Sequence, residues 1–146
     1  MKNLNPISIT TDAVLLCNDN GKQFVLLIHR KNEPFQHQWA LPGGFVESTE
    51  LVKEACAREL LEETGLKLEA ATFHFVNYYD SIQRDPRGRT LSLAFTSIIT
   101  KRVQTEANDD AADAGWFALE NLPTLAFDHY TIIQDAIKLN KKINNL

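Results

Sequence analysis

Residues 44–66, GFVESTELVKEACARELLEETGL, decide how this chain is read. Ser48 or Thr49 is placed to cap a helix running to about Thr64, and Gly65 supplies its left-handed stop. Within that helix, positions 52, 55, 56, 59, 62, 63 and 66 share one stripe at i, i+3, i+4 spacing. The residues there are Val52, Ala55, Cys56, Glu59, Glu62, Glu63 and Leu66, so the stripe starts apolar, turns acidic, and ends apolar. Leu60 and Leu61 add a second apolar side. Carboxylates at this spacing repel by ~0.2–0.5 kcal/mol per exposed pair. The helix dipole also disfavours negative charge at a C-terminal end. A sequence selected for stability alone would carry lysine or arginine there. A bound divalent cation removes both penalties, because oxygen ligands are what magnesium prefers. The plainer alternative is a solvated acidic helix end paired with Lys53 and Arg58, and the flanking residues weigh against it.

Outward from the helix, residues 7–17 and 23–30 are rich in β-branched and apolar residues and read as two strands. Asn18-Asp19-Asn20-Gly21 between them is a hairpin signal. The pair Gly43-Gly44 permits close backbone approach just before the helix. Residues 71–79 and 91–99 read as further strands joined by the turn-rich Arg84-Asp85-Pro86-Arg87-Gly88-Arg89. A short strand is expected at Trp116-Phe117. A last helix follows Pro123, capped by Asp128 and running through Ile132, Ile133, Ala136 and Ile137. The pattern is mixed α/β.

The length of 146 residues fits one domain, 1–146, with one core. The net charge of −4 argues against a nucleic-acid binder, which would show a basic face. Cys17 and Cys56 match no metal or redox spacing, and Cys56 is expected as a free, packed thiol. The N-terminus lacks an apolar signal stretch, and no run approaches the ~20 apolar residues of a membrane helix. A cytoplasmic protein without membrane contact is the expectation.

The 44–66 stretch resembles a complete Nudix box: glycine, five residues, glutamate, seven residues, then Arg-Glu-apolar-x-Glu-Glu-x-Gly-apolar. Those positions are Gly44, Glu50, Arg58, Glu59, Leu60, Glu62, Glu63, Gly65 and Leu66, without departure. A chance match is on the order of 10⁻⁹ per start position. Pro34-Phe35, the Trp39–Gly44 segment, the Arg84–Arg89 turn, Trp116-Phe117, Leu122-Pro123 and Leu125-Ala126-Phe127-Asp128-His129 are similar to a subgroup of that family. It holds bacterial ADP-ribose pyrophosphatases and the Nudix-like domains of transcriptional regulators of NAD metabolism. His37 departs from it, standing where a glycine is expected.

The resemblance implies a Nudix fold, an α/β/α sandwich around a mixed, curved sheet. It implies that Glu59, Glu62 and Glu63 hold magnesium, with manganese as a substitute, or position the attacking water. The backbone of Gly43 or Gly44 would add a ligand. Arg58 would orient a glutamate through a bidentate pair that lysine cannot reproduce, with Glu50 structural. Arg84 and Arg87 are expected to contact substrate phosphate or terminal ribose. Phe35 and Trp39 are expected either to stack on adenine or to pack in the core. The general base is expected among the box glutamates, or secondarily in the Asp109-Asp110 or Asp113 region. The implied reaction is hydrolysis of a nucleoside diphosphate derivative, foremost ADP-ribose to AMP and ribose 5-phosphate, by a homodimer. Two alternatives stand beside it. One is a house-cleaning hydrolase of damaged nucleoside triphosphates. The other is a non-enzymatic nucleotide sensor, disfavoured because the chain leaves no room for a DNA-binding module.

Overall fold

A computed structural model describes residues 4–105 and 111–144. Strands β1 (Ser8–Asp19) and β2 (Lys22–Arg30) form the expected hairpin. Asn20 and Gly21 have φ of 54° and 83°, so both turn residues are left-handed, as a two-residue hairpin loop of this twist requires. Short strands β3 (Trp39–Ala40) and β4 (Gly43–Phe45) come next, and neither is anticipated from sequence. Helix α1 spans Val52–Thr64, and Ala70–Thr72 form a single 3₁₀ turn. Strands β5 (His74–Tyr79), β6 (Thr90–Ile99) and β7 (Ala111–Ala118) and helix α2 (His129–Asn144) complete the order.

The sheet is mixed. Its main path runs β3-β2-β1-β6-β5, with β4 added to β1 and β7 to β2. β1 and β6 are parallel partners at the centre, while the other pairs are antiparallel. Because strand side chains alternate, β1 feeds two cores. Ala13 and Leu15 join Cys56 and Leu60 of α1, whereas Val14 and Leu16 join Ile132, Ile133 and Ala136 of α2. Each helix thus covers one face of the sheet. Asn140 anchors α2 by donating to Thr96 of β6 at 2.9 Å.

Two helix starts differ from expectation. α1 begins at Val52, with the extended Leu51 as its cap residue, so neither Ser48 nor Thr49 caps it. The Glu54 carboxylate instead accepts the Leu51 amide at 2.8 Å, half of a capping box. Asp128 does precede α2, but its carboxylate is engaged by Arg84 rather than by the helix. The stop at Gly65 is as expected, with φ of 78° and its amide donating to Leu61. Both cysteines are buried free thiols, and burial pushes Cys56 up to about 12. Among the described residues no helix is long and apolar enough to cross a membrane.

Candidate active site

The helix stripe of acids faces a cavity of about 510 Å³. Its lining includes Gly43, Gly44 and Phe45 from β4, Arg58, Glu59, Glu62 and Glu63 from α1, Arg30 from β2, and Arg87 from the 80–89 turn. The box acids therefore share one pocket, at graded depth. Glu63 is 8% exposed, and the side chain of Glu59 is 15% exposed. Glu62 stands at the rim with 44% exposure. The sequence stripe hides this difference, because Glu63 turns inward with Leu60 and Thr64.

Arg58 binds several of these acids at once. It donates to Glu50 at 2.7 and 2.9 Å, to Glu59 at 2.9 Å, to Glu62 at 3.2 Å and to the Phe45 carbonyl at 3.2 Å. Hydrogen bonds from Arg58 hold Glu50 below the usual carboxylate range. Glu63 accepts the Gly43 amide at 2.7 Å and feels the charge of Arg30. Burial pushes Glu63 up to about 8, partly offset by the Gly43 bond and reinforced by Glu59. Burial also raises Glu59, against the pull of Arg58.

This donor set fits a divalent cation. Glu33, Glu47, Glu59, Glu62 and Glu63 outnumber Arg30, Arg58 and Arg87 around the cavity, and the deepest acids resist ionisation where they sit. A cation relieves that excess and restores their charge. Gly44 is the floor: a Cβ there would lie 2.6 Å from Glu59 Oε1. Among the described residues no three acidic, histidine or cysteine groups already converge on one point. The acids are held apart by Arg58 and Gly43.

Several candidates land elsewhere. Phe35 packs on Phe127 with ring centroids 4.6 Å apart, against Ile28, Ala40 and Ala126. Trp39 packs edge-on against Phe117 at 4.6 Å and beside His29 at 5.0 Å. Neither lines the cavity, and both pack, partly buried, against the core, the second of the two roles expected for them. Arg84 lies outside the lining of this cavity and in that of a smaller one beside it. Its side chain is 4% exposed and forks onto Asp128 at 2.6 and 2.8 Å, with a third bond to Thr90. Those donors are spent inside the protein. Arg87 does line the cavity, paired with Asp85 at 2.8 Å and lying 5.1 Å over the Phe45 ring. Asp113 is exposed and accepts the neighbouring Ala114 amide, away from the cavity. Asp109 and Asp110 lie outside the described residues. His37 has φ of 69°, a left-handed conformation that explains why a glycine suits that position.

Sequence reasoning missed Asp12. It is buried in β1, where Oδ2 accepts the Ser92 hydroxyl at 2.5 Å and Oδ1 lies 3.3 Å from His129 Nε2. His129 Nδ1 accepts the Leu41 amide at 2.9 Å, which places the ring proton on Nε2, facing Asp12. Burial would raise Asp12, but His129, Ser92 and Arg84 together hold it below the usual range. The available signal was an aspartate directly before the apolar run Ala13-Val14-Leu15-Leu16-Cys17 of a strand. A smaller cavity of about 50 Å³, lined in part by Asp12, Asp85, Phe127 and His129, adjoins the large one through Ile28, Arg30, Gly43, Gly44 and Arg87.

A mixed sheet between two helices, with an Arg-Glu-x-x-Glu-Glu helix end facing a cleft, defines one class of domain, and comparison with known proteins agrees. The NUDIX domain family matches residues 8–136, so the chain belongs to the Nudix family. It is 47% identical over 114 residues to an ADP-ribose pyrophosphatase of Methanocaldococcus jannaschii, covering 78% of this chain and 66% of that protein. It is 34% identical over 139 residues to the ADPR responsive transcriptional repressor NtrR of Acinetobacter baylyi, covering 92% and 55%. The NUDIX domain of Shewanella oneidensis NrtR, solved with ADP ribose, superposes with a TM-score of 0.86 at 27% identity, covering 93% of this chain and 90% of that one. The chain thus spans somewhat under two thirds of the first relative's length and about half of the second's.

Proposed function

We propose that residues 1–146 form a single catalytic domain that hydrolyses ADP-ribose to AMP and ribose 5-phosphate with magnesium. The observation that carries this reading is the graded acid wall, Glu59 and Glu63 deep and Glu62 at the rim, facing Arg87 across one cavity. Glu59, Glu63 and the Gly44 backbone would hold the cation, and manganese has the same ligand preference. When bound, the metal neutralises phosphoryl oxygens and lowers the pKa of water. Arg87 supplies a further guanidinium for the diphosphate. Glu62, reached by solvent, takes the proton of the attacking water. The new P–O bond forms as the bridging P–O bond breaks, and the second phosphate leaves. Arg58 keeps Glu59 and Glu62 oriented on the rigid helix. The similarity to an ADP-ribose pyrophosphatase favours this substrate.

The test is a product assay across ADP-ribose and nucleoside triphosphates, with and without magnesium. AMP and ribose 5-phosphate appearing only with metal are expected. Pyrophosphate released from triphosphates, with ADP-ribose untouched, would move the reading to a house-cleaning enzyme. Tight ADP-ribose binding without turnover would make the domain a sensor, the role suggested by its similarity to a repressor.

A further inference from the structure

Phe127 holds a backbone conformation that phenylalanine rarely adopts. Its φ is 53°, in the left-handed region that favours glycine. The residues on either side leave the chain no freedom to relax. The Ala126 amide donates to the Trp39 carbonyl at 2.8 Å, Asp128 is gripped by Arg84, and the Leu41 amide donates to His129. Strain of this kind persists only where the surroundings over-determine it, and such positions gather at ligand clamps. Glycine would remove the strain, so the ring is what the position keeps.

Two cations share that ring. The guanidinium carbon of Arg30 lies 5.1 Å from its centroid and that of Arg87 lies 5.8 Å away, both within reach of the negative ring face. Like charges drawn to one place repel, and the ring offsets part of that repulsion. Arg30 gives Nε to the Pro34 carbonyl at 2.7 Å, and Arg87 gives Nε and Nη2 to Asp85 while its side chain stays 44% exposed. Both arginines line the acid-lined cavity as well as the small one. Phe127 lines the small one and is absent from the lining of the large one, so it stands behind the arginines. Phe35 backs it in turn, with ring centroids 4.6 Å apart. Two guanidiniums beside an acid-held cation match an anion with two charged groups, as a diphosphate has.

We infer that Phe127 is a positioning residue whose ring holds Arg30 and Arg87 as a paired clamp for the substrate's diphosphate. The inference rests on the proposed hydrolase reading for the identity of that anion.

Calorimetric titration with α,β-methylene-ADP, whose phosphate bridge cannot be hydrolysed, tests it at saturating magnesium, with adenosine as the phosphate-free control. Phe127→Leu keeps an apolar side chain and removes the ring face. It should weaken methylene-ADP binding roughly threefold to tenfold, the loss of a cation–π contact, and leave adenosine binding unchanged. Phe127→Tyr should restore wild-type affinity. Replacing Phe127 by mono-, tri- and pentafluorophenylalanine keeps the shape while draining the ring face, and should weaken binding in steps. In an Arg30→Gln, Arg87→Gln background, Phe127→Leu should have no further effect on affinity. With ADP-ribose, Phe127→Leu should raise KM more than it lowers kcat. Equal affinities across the fluorinated series would overturn the inference, leaving the ring as packing for Phe35. So would a full Phe127→Leu loss in the background without the two arginines, or failure of the wild type to bind methylene-ADP at millimolar concentration. A wild type that binds it in a ring-dependent way, yet leaves ADP-ribose intact, would overturn the enzymatic reading and leave this one standing.

Discussion

The Glu63 carboxylate accepts the Gly43 amide at 2.7 Å, joining the end of α1 to the strand that precedes it. Both residues adjoin glycine-dependent packing, and the two glycines answer differently to a methyl group. A Cβ on Gly43 would lie 2.1 Å from the Thr11 carbonyl oxygen, which belongs to a central strand and cannot yield. The three atoms nearest a Cβ on Gly44 all belong to the Glu59 carboxyl, at 2.6 to 2.9 Å. Gly43→Ala should therefore cost at least about 1–3 kcal/mol or abolish folding. Gly44→Ala should fold, because a side-chain end can swing away, but lose most activity. Urea unfolding and the ADP-ribose assay separate the two. A Gly44→Ala protein with full activity would remove Glu59 from the metal site.

The burial of Glu63 makes a pH prediction for metal-free protein. Its folded value is raised from 4.5 to about 8. Between those values the folded protein holds a proton that the unfolded chain has released, so stability falls as pH rises through the window. Glu59 shifts the same way. Glu63→Gln should flatten the fall. Saturating magnesium should also flatten it, because the cation favours the ionised carboxylates. Tm measured from pH 5 to pH 8.5, with and without metal, checks both. A flat metal-free profile would mean that Glu63 is solvated.

Arg84 should behave as a structural residue with indirect effects on catalysis. Its guanidinium is buried between Asp128 and, 4.0 Å away, Asp12. Arg84→Ala leaves the Asp128 carboxylate without its partner, while Asp12 keeps Ser92 and His129, and should cost about 3 kcal/mol. Arg84→Lys should recover only part of that, since lysine cannot fork onto Asp128. Denaturant unfolding reads the loss directly. A stable Arg84→Ala protein with only a raised KM would restore the substrate-contact role.

How much of this was legible in sequence differs between site and surroundings. The box acids, Arg58 and the Gly65 stop could be read because a local helical period carries them, and the structure gathers Arg58, Glu59, Glu62 and Glu63 on one cavity. The Asn20-Gly21 turn was legible because two left-handed residues in a hairpin leave a compositional mark. Asp12 was not, since its partners lie at 84, 92 and 129 and only sheet pairing and α2 docking bring them together. Arg84 and Asp128 were noticed singly as a substrate contact and a helix cap. Their pairing across 44 residues left no mark in the local sequence. The short strands at Trp39-Ala40 and Gly43–Phe45 owe their form to β2 and β1, and no local period reveals them.

Glu62 offers the cleanest separation of catalysis from stability. Its side chain is 44% exposed and meets only Arg58, at 3.2 and 3.3 Å. Glu62→Gln should lower kcat by about 10²–10⁴-fold, the range for loss of a positioned base. Stability should change by no more than about 0.5 kcal/mol, and upward if at all, because a negative charge leaves the helix C-terminus. Single-turnover kinetics and thermal unfolding on one preparation measure both. Full activity would reassign the base to another acid.

Arg58 is the last and sharpest case, because lysine keeps its charge and loses its geometry. Arg58 reaches Glu50, Glu59, Glu62 and the Phe45 carbonyl from one planar group, and the Glu50 hydrogen bonds raise its pKa further. A lysine ammonium has three donors at one point and cannot span those four partners. Arg58→Lys should thus keep the net charge of the cavity while freeing Glu59 and Glu62 to reorient. Activity and metal affinity should fall about 10–100-fold, as when a partner that orients a metal ligand is lost. Manganese titration followed by electron paramagnetic resonance reads the affinity without substrate. If Arg58→Lys binds manganese and turns over as the wild type does, charge alone suffices and the fork is incidental. If Arg58→Lys fails while Glu50→Gln is unaffected, Arg58 acts on Glu59 and Glu62 directly, with Glu50 only an anchor. Loss in both would show that the Glu50 fork is what aims the guanidinium at the catalytic acids.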